Sequence, residues 1–71
     1  MSITELEDIA EIAIECAKED KTVIAWREAA QACRDARDYF RFGGLQREAD
    51  RWENSTNLCV QEIAMTIGGN K

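Results

Sequence analysis

Helical periodicity runs through this chain almost without a break, and that rhythm narrows what it can fold into. There is no proline. The pattern is interrupted only at Lys18–Lys21, at Gly43-Gly44 and at Gly68-Gly69. No stretch alternates with the period of a half-buried strand. The expected fold is all-α: a three-helix domain built on a long antiparallel helical hairpin, with helices at about 3–18, 22–42 and 45–67, and one domain over 1–71.

The first segment opens with Ser2, a good N-cap, and Glu5 three residues on completes a capping box. Its apolar residues include Leu6, Ile9, Ala10, Ile12, Ala13, Cys16 and Ala17. At the helical turn angle they fill an arc of roughly 200°, wider than one neighbouring helix can cover. Asp20 or Thr22 can cap the second segment. Its inward face reads Trp26, Ala29, Ala30, Cys33, Ala36 and Phe40, so alanine dominates between bulky ends and a neighbour can approach closely. The third carries Leu45, Ala49, Trp52, Thr56, Cys59, Ile63 and Ile67 in phase, with Val60 alongside. The Asn54–Asn57 run is poor in helix formers and is a place where this helix could bend. Gly43-Gly44 supplies the hairpin reversal, and Gly68 a left-handed cap.

Trp26, Ala29, Ala30 and Cys33, with Gly44 and Ala49 beyond the turn, resemble one tetratricopeptide-type unit. The resemblance covers about half the chain, the helices are longer than that unit's, and only one unit is present. It implies a helical hairpin that offers a face for binding.

Composition closes off several function classes. With no histidine, the chain lacks the ordinary general base and any Ser-His or Cys-His pair. Gly43-Gly44 is not followed by the Lys and Ser/Thr of a phosphate loop. The carboxylate rows Glu7/Glu11 and Glu11/Glu15 lie on a polar face and read as solvated. Cys16, Cys33 and Cys59 are far apart and odd in number, which makes a poor disulfide framework and a poor zinc site. They read as small buried hydrophobes in a reducing compartment. No enzyme, no cofactor and no metal are expected. There is no leader-like or membrane-length apolar run, so the expected location is cytoplasmic.

Charge is uneven within a net of −5. Residues 1–20 carry seven acids against Lys18, whereas residues 21–51 carry seven bases against five acids. An acidic whole argues against general nucleic-acid binding. Four surfaces remain as candidates. The first is the acidic face of the first helix. The second is the row Arg27, Arg34, Arg41, able to dock against that acidic face in a second subunit. The third is the hairpin tip, with Arg37, Tyr39, Arg41, Phe42 and Arg47. Phe42 there either folds over the glycines or stands free for a partner. The fourth is the outer stripe of the third helix, with Arg51, Leu58 and Met65.

The expected function is a small protein-interaction module, a regulator or inhibitor that occupies a partner protein's surface. The expected partner-binding residues are Arg37, Tyr39, Arg41, Phe42, Arg47, Arg51, Leu58 and Met65. The alternatives are a nucleic-acid-associated protein that uses the arginines and a subunit that assembles with itself. A homodimer or larger assembly is expected, because a chain this short buries little.

Overall fold

The structure, a computed structural model, describes residues 3–68. It is all-helical, with α1 at Ile3–Asp20, α2 at Val23–Phe42 and α3 at Gln46–Gly68. The capping box expected at Ser2 involves a residue outside that range. Each helix alternates direction with the last, and α2 is the central one. Both α1 and α3 pack along α2, while they approach each other much less closely.

The two connections follow different stereochemistry. α1 ends where Lys21 adopts a left-handed φ of 55° and donates its N–H to the Ala17 carbonyl at 2.8 Å. That is an αL cap built without the usual glycine. Thr22 follows at once as the N-cap of α2, its hydroxyl oxygen accepting from the Ala25 N–H at 3.2 Å. Between α2 and α3, Gly44 takes a φ of +77°. The Gly44 N–H donates to the Arg41 carbonyl at 3.1 Å, and the Leu45 N–H reaches the Phe40 carbonyl at 2.9 Å. This paired closure is a Schellman motif, and it turns the chain in three residues. The Leu45 carbonyl then accepts from Ala49 at 3.0 Å and starts α3.

α3 runs unbroken through Asn54–Asn57. Two polar side chains in this run turn back on their own helix. The Ser55 hydroxyl donates to the Arg51 carbonyl at 3.3 Å and the Thr56 hydroxyl to the Trp52 carbonyl at 2.8 Å. Thr56 is thereby satisfied although buried, which lets the apolar stripe pass through it. Gly68 does not provide the expected left-handed cap; it is still helical.

The core consists of Ala10, Ala17, Ala29, Ala30, Ala36 and Ala49 with Cys33, Cys59, Trp26, Trp52 and Phe40. Alanines bring the helices together, and the aromatic rings fill the space between them. No isoleucine, leucine or valine among the described residues is fully buried. Leu6, Ile14 and Ile63 flank the core in partial burial. Trp52 is the largest side chain enclosed on all sides, and its Nε1 has no hydrogen-bond partner among the described residues.

Two substitutions test this account. Lys21→Gly removes the left-handed penalty of about 1–2 kcal/mol and gives back about 0.4–1 kcal/mol of unfolded-chain entropy. The net expectation is a rise in stability of a few tenths to about 1 kcal/mol in urea unfolding. Trp52→Ala should cost about 3–5 kcal/mol, enough to unfold a domain this small, whereas Trp52→Phe should retain the fold, since the orphaned N–H leaves with the larger ring.

Candidate functional site

The hairpin tip is set by the Schellman closure, which ends α2 so that Phe42 is its last residue. Phe42 is 92% exposed and Tyr39 45% exposed. Phe42 therefore stands free of the glycines instead of folding over them. Phe40, two residues away, is buried, and Tyr39 meets its ring edge-on at 6.3 Å. Helical phase explains the contrast: Phe40 lies on the inward face of α2, and Phe42 is rotated away from it. Arg41 and Arg47 are both exposed near the turn in sequence, and neither is ion-paired among the described residues.

Arg37 belongs to the frame of the hairpin and is mostly buried. Its Nη1 lies 2.6 Å from Glu53 on α3, and its Nε and Nη2 each lie 3.1 Å from Asp38. The Glu53 carboxylate, helped by Asp38, holds the guanidinium even more firmly in its charged form than usual, and burial opposes this in part. Arg51 is also engaged: it reaches Glu11 on α1 at 3.9 Å and Glu48 at 3.8 Å, and it lies 5.5 Å from the Trp52 ring centre. These are long, exposed contacts of small energetic weight, but they link α1 to α3. Sequence spacing alone could not separate Arg37 from Arg41, because the distinction depends on which arginine faces α3.

Leu58 and Met65 are exposed and share a groove with Lys18, Lys21, Trp26, Glu62 and Thr66, between the ends of α1 and α3. They lie on the same helical stripe as Arg47 and Arg51. The rise of α3 nevertheless puts Leu58 and Met65 about 16 and 27 Å along the axis from Arg47. Tyr39, Arg41, Phe42 and Arg47 all lie at the hairpin end of the molecule, whereas Leu58 and Met65 line a groove at the other end. The residues that carried the tetratricopeptide resemblance, Trp26, Ala29, Ala30 and Cys33, are all buried in the core.

Two features were not anticipated. One is the thiol arrangement. Cys16 is exposed on α1, contrary to the expectation that all three cysteines are buried, because it lies on the part of the wide apolar arc that α2 does not reach. Cys33 and Cys59 are both buried, one on α2 and one on α3, near enough for each to affect the other's ionisation. Burial, reinforced by Cys59, pushes the Cys33 thiol up to about 12. Burial also raises Cys59. The other feature is an open apolar groove of about 700 Å³ between the first half of α2 and the last half of α3. It is lined by Val23, Ile24, Ala30, Val60, Ile63 and Ile67 and edged by Arg27 and Arg34.

No group of three or more metal-ligating side chains occurs among the described residues, and none of their helices is long and apolar enough to cross a membrane. Protein-family models, curated proteins and solved structures yield no match to this chain.

The thiols give a direct check. An exposed-thiol reagent should modify Cys16 rapidly and Cys33 and Cys59 only at the rate of unfolding, and Cys16→Ser should abolish the fast phase. The folded state keeps the Cys33 proton well above the ordinary thiol value of 9.0, whereas the unfolded chain releases it near that value. This contribution to stability is therefore complete below pH 9.0 and is lost as pH rises from there towards about 12. Urea midpoints measured across that range should fall, and Cys33→Ala should flatten the decline.

Proposed function

We propose that this chain is a non-enzymatic protein-interaction module that engages a partner protein through its hairpin tip. The observation that carries the reading is Phe42, 92% exposed at a fixed turn. Tyr39 is exposed one turn earlier on α2, and Arg41 and Arg47, close to the turn in sequence, make no ion pair among the described residues. Solvated aromatic side chains with adjacent guanidinium groups are the composition of binding hot spots. They fit a partner with an apolar pocket edged by carboxylates, onto which an arginine can fork. A small regulator or inhibitor that covers a partner's surface is the form of this function we favour. Arg37 is assigned to holding the tip in place, through Glu53.

The competing nucleic-acid reading is disfavoured by the net charge of −5 and by the engagement of Arg37 and Arg51 with carboxylates of the chain itself.

Phe42→Ala and Arg41→Ala separate a binding tip from a structural one. Both should leave the melting temperature nearly unchanged and weaken capture of a host-lysate partner by more than about 1 kcal/mol each. Capture that survives both substitutions removes the tip from consideration. Capture that collapses between low and moderate salt, with released nucleic acid, supports the nucleic-acid reading instead.

A further inference from the structure

The groove between α2 and α3 and the outer stripe of α1 are two unpartnered apolar surfaces, and their charges are opposite. On α1, Ile9 is 47% exposed, Ile12 is 62% exposed, and Cys16 is exposed beside them. They follow one another at the spacing of a single helical stripe. Asp8, Glu15 and Glu19 flank that stripe. In the groove, Ile24 is 70%, Val60 44% and Ile67 62% exposed. Arg27 and Arg34 edge it and make no ion pair among the described residues; Glu28 is the one carboxylate on its lip. The protein's own α1 does not cover this groove, because α1 packs on the other flank of α2, where Leu6 and Ile9 border Ala32.

We propose that a second copy of this chain fills the groove with the Ile9–Ile12–Cys16 stripe of its α1. The charges match along the axis as well as in sign. Arg27 and Arg34 are seven residues apart, as are Asp8 and Glu15. α1 and α2 are antiparallel and joined by Lys21 and Thr22 alone. Counting outward from that joint at the helical rise puts Glu15 level with Arg27 and Asp8 level with Arg34. A two-fold axis parallel to the helices preserves those levels. It brings each copy's acidic stripe to the other's basic groove, and the contact occurs twice. The seven-residue repeat keeps both pairs on one face of their helices. Aliphatic burial is what the single chain is short of, because no isoleucine, leucine or valine whose burial is described is fully enclosed in its core. The hairpin tip lies at the opposite end of α2 from the groove, so this proposal does not depend on the partner-binding role of Phe42.

The test is a charge exchange read by sedimentation velocity on the full chain. The wild type should show a concentration-dependent mass of twice 8.1 kDa. The Arg27→Glu/Arg34→Glu variant should remain at the single-chain mass, and so should Asp8→Arg/Glu15→Arg, each with a dissociation constant raised at least about tenfold. Mixed in equal amounts, the two variants should recover the dimer, since each then meets a surface of opposite sign. Circular dichroism establishes that both are folded. The reactivity of wild-type Cys16 is a second reading that needs no variant: it should fall as protein concentration rises. A wild type that is monomeric up to millimolar concentration overturns the proposal. So does a dimer that neither double substitution weakens, or one that leaves Cys16 fully reactive.

Discussion

Close approach of helices over alanine is the interaction on which the rest of this structure depends. Ala29, Ala30 and Ala36 on α2 face Ala49 on α3 and Ala10 and Ala17 on α1, all buried. Small side chains let the backbones come near, and dispersion across a tight contact replaces the volume that larger residues would supply. Every larger core member is placed in response. Trp26, Trp52 and Phe40 fill the space that alanine leaves, and Cys33 and Cys59 are buried between the hairpin helices. The cost of this arrangement is borne by the branched aliphatic residues, which are displaced to the flanks and the surface.

That displacement organises the surface into regions of different character. Around the tip, exposed aromatic rings occur with Arg41 and Arg47, which make no ion pair among the described residues. Along α1 and in the α2–α3 groove, exposed isoleucine and valine occur with acids in one place and bases in the other. Between them, Arg37 and Arg51 are drawn into ion pairs that brace one helix against another. Ten large hydrophobic side chains among the described residues are substantially exposed. Scattered singly they would need no explanation, but here they align on helical stripes and border grooves.

Much of the architecture could be read from the residues. The repeat through Trp26, Cys33 and Phe40 gave α2 its inward face, and Thr22 and Gly44 marked real chain reversals. The arc of α1 correctly indicated more apolar surface than one neighbour covers, which is why Ile12 and Cys16 are exposed. The misreadings have local physical causes. Lys21 ends α1 two residues later than its periodicity indicates, because a left-handed lysine substitutes for glycine. Gly68 remains helical. Arg37 was grouped with the tip because the sequence shows its neighbours along the chain but not Glu53 across the hairpin. The outer stripe of α3, with Leu58 and Met65, is separate from the tip in the structure as it is in the sequence pattern.

The Schellman turn also bears on the energetics of recognition. A flexible loop that orders on binding gives up about 1–2 kcal/mol of backbone freedom per residue. Here the backbone from Phe40 to Leu45 is already held by the closing hydrogen bonds of Gly43, Gly44 and Leu45. A surface presented on that frame loses only side-chain rotamer freedom when it is covered, about 0.5–1.5 kcal/mol for each long side chain immobilised. Phenylalanine has few rotamers to lose, so a ring held out on a rigid turn is inexpensive to capture. A chain too small to enclose its aliphatic residues can in this way still offer a preorganised contact.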